Sequence, residues 1–129
     1  MFTISQIKEA HSKVRSGSDF PAFARDLVSL GVIKYDTHVS DGHGEYYGAG
    51  DYLQKSEAAY PVLTVSGKSD TEKFNQYLKA HQQGQTDYMT FCKHSAECGV
   101  QKWTVNTVEM ICTYYDQQGK EMLTETIPG

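Results

Sequence analysis

Basic charge is scarce in this chain: 12 Lys and Arg stand against 16 Asp and Glu, a net charge of −4 at pH 7, with no cluster of basic residues anywhere. A protein that binds nucleic acid irrespective of sequence neutralises phosphates with a basic patch, so no nucleic-acid partner is expected. Long apolar runs are missing too. Nothing approaches the roughly 18 consecutive apolar residues of a spanning helix, and Met1-Phe2-Thr3-Ile4 lacks the charged and apolar regions of a signal peptide. No membrane partner is expected, and the expected location is the cytoplasm. Cysteine is sparse and odd in number, with Cys92, Cys98 and Cys112 all in the second half. That argues against a disulfide framework and makes the three thiols small buried hydrophobes in a reducing compartment. Also absent are a phosphate-binding loop, a nucleophile elbow and a dinucleotide fingerprint. No catalytic residue, no metal and no cofactor is therefore expected, and the chain reads more as a non-enzyme than as an enzyme.

What the chain has is an internal echo. Shifted by 68 positions, Ser18-Asp19-Phe20 falls on Thr86-Asp87-Tyr88, Phe23 on Phe91, Gly31-Val32 on Gly99-Val100, Lys34-Tyr35 on Lys102-Trp103 and Tyr46-Tyr47 on Tyr114-Tyr115. One offset that preserves punctuating glycines and aromatics points to a unit built twice, residues about 1–67 and about 68–129. With 129 residues, 39% of them hydrophobic, the chain suits one domain over 1–129 whose halves share a core, because a unit of about 65 residues buries little alone.

Each half opens with helices. Thr3 and Gln6 stand three apart like a capping box, Phe2 can staple to Ile7, and a helix is predicted over about 4–16. Ser69 with Glu72 predicts the matching start in the second half, and Phe74, Tyr77 and Leu78 recur at helical spacing before Gly84. A second helix in each half is predicted from Ser18-Asp19 to Gly31 and from Thr86-Asp87 to Gly99.

After each glycine the period changes to alternation. Asp41-Gly42 predicts a two-residue hairpin turn that sets Ser40 opposite His43, Val39 opposite Gly44 and His38 opposite Glu45. One face then collects Ile33, Tyr35, Thr37, Val39 and Tyr46, and the other Lys34, Asp36, His38, His43, Glu45 and Tyr47. In the second half Trp103, Val105, Cys112 and Tyr114 face inward, while Lys102, Thr104, Asn106, Thr113 and Tyr115 face outward. Third strands are expected at Tyr52-Leu53 and over 122–127, the latter stopped by Pro128, with Val62-Leu63-Thr64-Val65 as a further extended stretch. The expected fold is α+β: a two-layer sandwich made by internal duplication of a helix-helix-β-hairpin unit, an antiparallel sheet with helices on one face and the other face open.

Three stretches, residues 82–92 (Gln-Gln-Gly-Gln-Thr-Asp-Tyr-Met-Thr-Phe-Cys), 99–103 (Gly-Val-Gln-Lys-Trp) and 112–116 (Cys-Thr-Tyr-Tyr-Asp), resemble an uncharacterised bacterial family of domain-of-unknown-function proteins. Its members are often labelled "phage envelope protein". The resemblance covers nearly the whole chain, and the Gly-x-Thr-Asp-Tyr run is its most specific part. It implies a bacterial or prophage origin and carries over no catalytic residue.

Chemistry has two places to sit. Cys92, His94, Cys98 and Cys112 are metal-ligand types, but Cys92 and Cys98 stand about 120° apart on a helix and no Cys-x-x-Cys knuckle exists, so structural zinc is not expected. At the 68-residue offset these cysteines align with Ala24, Leu30 and Gly44, which marks them as core. The open face offers more: His38, His43 and Glu45, flanked by Tyr47 and its counterpart Tyr115, form a candidate ligand-binding surface. The second half carries Asn106, Ile111 and Thr113 there, so the repeat does not need these groups. His11, His81, Lys34 and Lys102 read as structural. The leading expectation is a non-enzymatic interaction domain whose open face meets a protein partner or a second copy. The alternative is a small-ligand or metal-binding protein, or an enzyme, with its site on the open face of the first hairpin.

Overall fold

The structure is a computed structural model that describes residues 2–15 and 17–127. Ser16, the expected end of the first helix, and Pro128, the expected stop of the last strand, lie outside the described residues.

Capping chemistry sets where the helices start. Helix α1 (Ile4–His11) opens with the predicted capping box: Gln6 N–H donates to Thr3 Oγ1 at 3.2 Å and Thr3 N–H to Gln6 Oε1 at 2.9 Å. Phe2 and Ile7, the expected staple pair, are both buried. The helix ends well before residue 16. Past His11 the amides of Lys13 and Val14 turn back to the carbonyls of Ala10 and His11, and the Arg15 amide is taken by Asp19 Oδ2 at 3.0 Å. Asp19 is thereby withdrawn from its expected cap, and α2 (Phe20–Leu30) starts instead behind a 3-10 turn, Gly17–Asp19, with Pro21 in its first turn. In the second half α3 (Thr71–Gln82) is capped by Asp70 rather than Ser69, Asp70 Oδ1 accepting from Lys73 N–H at 3.0 Å. Helix α4 (Tyr88–Glu97) is capped as predicted, by Asp87 on Thr90 N–H at 2.8 Å.

Among the described residues six antiparallel strands form one sheet: β1 (Lys34–His38), β2 (Gly44–Tyr47), β3 (Leu53–Lys55), β4 (Lys102–Asn106), β5 (Ile111–Tyr115) and β6 (Glu121–Thr126), in the order β3-β2-β1-β4-β5-β6. The α+β class is as the sequence predicts. The order is mirrored about the β1–β4 seam, and the registers match across it. Tyr35 faces Tyr46 as Trp103 faces Tyr114, and Lys34 faces Tyr47 as Lys102 faces Tyr115. At the seam Asp36 faces Thr104, its own counterpart 68 residues on, and Thr104 Oγ1 donates to Asp36 Oδ1 at 2.5 Å. Even the turns agree: Gly42 and Met110, again 68 apart, both take positive φ, 76° and 56°.

The first hairpin departs from its predicted register by two residues. Asp36 faces Glu45 and Thr37 faces Gly44, while His38 N–H donates to His43 O at 3.0 Å, so the two histidines stand opposite each other across a four-residue loop. A shift of two preserves every side chain's face, whereas a shift of one would have inverted them all. The cause is Val39. It is wholly buried, and its N–H donates to Gln101 O at 2.9 Å, so it leaves the hairpin ladder to pack under the sheet. Asp41 closes the loop by accepting from His43 N–H at 3.0 Å.

Three further expectations are corrected. Ile33 is 40% exposed, because Val32, whose amide satisfies Leu27 O, takes the core place beside it. Asp36 has the predicted outward parity but is buried, held by Thr104 at the centre of the sheet. Val62-Leu63-Thr64-Val65 is no strand; it is an extended connection pinned through Leu63 N–H to Ser40 O and, just beyond it, Ser66 N–H to Ala96 O.

The helices cover the inward face, where Phe23 meets Tyr35 edge-on at 6.2 Å, its counterpart Phe91 meets Trp103 at 5.5 Å, and Phe74 meets Tyr114 at 4.8 Å. Among the described residues no helix is long and apolar enough to cross a membrane.

Candidate functional site

On the open face the two-residue shift tightens the predicted cluster. Because His38 and His43 sit opposite each other, their rings stack at 4.2 Å, 8° from parallel. Each ring is held by a carboxylate. His38 Nε2 lies 2.7 Å from Glu45 Oε1, and His43 Nδ1 lies 2.5 Å from Asp41 Oδ1. Lys55 Nζ approaches Glu45 Oε2 at 3.6 Å. The hydrogen bond from His38, acting against partial burial, holds the Glu45 carboxyl below the usual range. At Asp41 burial pushes upward, but the backbone and side-chain hydrogen bonds from His43 together outweigh it, and this carboxyl too is lowered.

Tyr47 and Tyr115 do not join this cluster as a pair. Tyr47 faces Lys34 at one end of β1, and Tyr115 faces Lys102, which in turn faces His38 at the other end. Both are half-buried, and each ring is covered by its facing lysine, Lys34 Nζ at 5.1 Å and Lys102 Nζ at 5.4 Å from the ring centre. Lys34 and Lys102, read from sequence as structural, are the partners of the two tyrosines. Partial burial, then the carboxylates of Glu45 and Asp36, raise the Tyr47 hydroxyl.

The inward side holds what sequence reasoning missed. Between the helices and the sheet lies a cavity of about 460 Å³, within the roughly 300–1,000 Å³ of small-molecule sites. Aromatic side chains from both halves line it, Phe23, Tyr35 and Tyr46 from the first and Tyr88, Phe91 and Trp103 from the second, among aliphatic and small polar residues. Polar groups stand among them without partners. Tyr35 and Tyr46 stack at 5.2 Å, and among the described residues their hydroxyls make no hydrogen bond. Neither is a sealed, unsatisfied atom, a condition found among the described residues only at His94 Nδ1. With Tyr35 only 3% exposed, its hydroxyl faces the cavity. Burial drives the Tyr35 hydroxyl well above its ordinary range and that of Tyr46 up to about 12, so both stay protonated donors.

The cavity's histidines are neutral. Burial lowers His11, whose ring packs edge-on against Phe23 and Tyr88. Burial also lowers His81, whose Nδ1 lies 3.1 Å from Thr86 O; a carbonyl only accepts, so Nδ1 carries the proton and Nε2 is a free acceptor. The charged lining residues, Lys8 and Glu57, are exposed at the mouth. An apolar chamber with a few donors, neutral acceptors and no internal charge suits an uncharged molecule. The signal in the sequence is the number of inward-facing tyrosines, since a core that only needed bulk would use phenylalanine and leave no hydroxyl to satisfy.

The three cysteines are buried and free, as expected. Burial raises Cys92 to about 11 and Cys112 to about 12, so neither is a thiolate ready for metal or nucleophilic chemistry.

Residues 8–126 match the model of a family described as "Protein of unknown function (DUF1398)". The chain belongs to this family. No curated protein matches it. The DUF1398 description assigns no activity, so function rests on the chain's own geometry.

Proposed function

We propose that this DUF1398 protein binds a small, uncharged, predominantly apolar molecule in the cavity between its helices and its sheet. The observation that carries the reading is the pair of unpartnered, protonated hydroxyls of Tyr35 and Tyr46 on a predominantly apolar wall. A ligand bearing an acceptor, such as a carbonyl or ether oxygen, takes the hydrogen bond that these hydroxyls offer to the cavity, a net gain of about 0.5–1.5 kcal/mol each. The sequence pointed to a ligand site on the open face; the cavity moves that idea to the opposite face. Bacterial or prophage origin is compatible with such a binder, and nothing in the cavity supports the phage-envelope label of the resembling proteins.

The neutral fluorophore N-phenyl-1-naphthylamine tests it. The protein should bind the probe saturably at one site, and Thr37→Phe, which fills the cavity from β1, should abolish binding while leaving the circular dichroism unchanged. Where that variant fails to fold, Ala59→Leu at the mouth makes the same test. Unsaturable binding, or equal binding by a folded filled variant, overturns the reading.

A second reading keeps the open face as a contact surface for a protein partner or a second copy. It is favoured by the Lys34–Tyr47 and Lys102–Tyr115 pairs, which put one aromatic-cation element at matching positions on either side of the seam. Sedimentation at rising concentration tests self-association, and a constant monomer mass removes that version. Both readings treat 1–129 as one domain built by duplication, for which the shared 68-residue offset in sequence, register and turn geometry is the support.

A further inference from the structure

The geometry points to a binding site for a divalent transition-metal ion on the open face, formed by His38, His43 and Glu45. It is independent of the cavity, which lies on the other side of the sheet. The donor atoms of these three residues all lie within 4.8 Å of one another, and all three side chains are half-exposed and reachable from solvent.

The register makes the site. His38 and His43 stand opposite each other at the mouth of the β1–β2 loop, and Glu45 follows two residues on, on the same face. Asp41 fixes the orientation of one ligand: its Oδ1 accepts from His43 Nδ1 at 2.5 Å, which leaves Nε2 as the outward donor. Carboxylate-held imidazoles of this kind are the usual outer support of metal ligands. His38 Nε2 already meets Glu45 Oε1 at 2.7 Å, so these two donors point at one place, and Glu45 has Oε2 only loosely engaged by Lys55 at 3.6 Å. Two imidazole nitrogens and one carboxylate suit Zn²⁺, Co²⁺ or Ni²⁺ rather than Mg²⁺ or Ca²⁺, which prefer all-oxygen shells. With metal–nitrogen bonds of about 2.0–2.1 Å, tetrahedral donors stand about 3.3 Å apart. The 2.7 Å between His38 Nε2 and Glu45 Oε1 and the 4.8 Å that bounds the whole set bracket this spacing, so rotations of half-exposed side chains suffice without moving the strands, with water completing the shell.

The second hairpin shows that the cluster is no part of the architecture. Its counterparts of His38, His43 and Glu45 are Asn106, Ile111 and Thr113, in the same register with the same left-handed turn position. Asn106 has an ordinary turn role, its Oδ1 accepting from the amides of Val108 and Glu109. Two histidines, each held by a carboxylate of the same hairpin, exceed what the turn requires.

Titration of the whole protein with Co²⁺ at pH 7.5, read by calorimetry and visible absorption, tests the site. One ion should bind per chain with a d–d spectrum of nitrogen and oxygen ligation and no sulfur-to-cobalt charge transfer, which excludes the cysteines. The double variant His38→Asn, His43→Ile transplants the second hairpin's residues and should weaken binding by more than about 100-fold with the melting temperature unchanged. Should it fail to fold, the near-isosteric Glu45→Gln carries the test with a loss of about 10-fold or more. Asp41→Asn, acting through His43, should cost about 10- to 100-fold, and Lys55→Met, which removes a competing cation, should tighten binding. No saturable binding by the wild type, thiolate ligation, or unchanged affinity in the folded double variant overturns the proposal.

Discussion

The two hairpins of this sheet are the same scaffold carrying different chemistry. Both pair in one register, both turn through a left-handed residue at the fourth loop position, and both lay a lysine over a tyrosine on the open face. Yet the first carries His38, His43 and Glu45 where the second carries Asn106, Ile111 and Thr113. What recurs is what the fold requires: the inward aromatics and the turn. What does not recur is free to serve something else, and the open-face cluster is the largest such difference between them.

The comparison breaks most decisively in the core. Trp103→Ala should cost about 3–5 kcal/mol in urea unfolding, and its counterpart Tyr35→Ala a similar amount, because each contacts the matching helix phenylalanine. A large cost at only one position would show that the halves do not share the load. Next comes Gly44→Cys, which installs the residue found at 112. A Cβ at Gly44 would sit 2.6 Å from the Tyr46 ring, so a loss of about 1–3 kcal/mol is expected; a neutral result would mean that Tyr46 swings aside freely.

A smaller effect sharpens the turn equivalence. Met110 holds φ at 56°, a conformation that costs an L-residue about 1–2 kcal/mol, while glycine adds about 0.4–1 kcal/mol of unfolded-state entropy. Met110→Gly should therefore stabilise by about 0.5–1 kcal/mol, and a loss would show that the Met110 side chain contributes packing beyond its backbone.

The gentlest test separates the two faces by pH. His11 and His81 are lowered by burial from the ordinary 6.5. An unfolded chain takes up protons that the folded one refuses, so the stability linked to these groups is complete above 6.5 and drains as pH falls below it. On the open face Glu45 and Asp41 are lowered from 4.5 and 3.8; their contribution holds above those values and is lost as pH falls through the lowered ones. Melting temperatures from pH 7.5 to 3 should therefore fall in two stages, with His81→Gln removing part of the first only. A single acid stage untouched by that variant would place the buried histidines wrongly.

Much of this is legible in the sequence. The Thr3/Gln6 box, the Asp87 cap and strand parity are local or periodic signals, and each corresponds to an observed bond or register. What failed to read was set by tertiary demand. Val39 leaves the ladder because the core and Gln101 claim it, and that moves the turn by two residues. Asp36 is buried because β4 brings Thr104 to it from 68 residues away. Of the candidate site, His38, His43 and Glu45 came from parity alone, and parity survived the register shift. Tyr47 and Tyr115 were placed on the correct face, but their lysine partners were read as structural. The cavity was invisible because a void has no residue of its own; only the inward tyrosines hinted that something polar had to be met inside.

The central claim, that the cavity takes a small apolar guest, is tested most directly through the chain's single tryptophan. Trp103 lines the cavity, and its indole N–H gives one isolated signal in a nitrogen-15 correlation spectrum. During titration with N-phenyl-1-naphthylamine that signal should move saturably in the wild type and stay fixed in Thr37→Phe. A signal that stays put in the wild type while the probe binds, or that moves equally in the filled variant, would contradict the account.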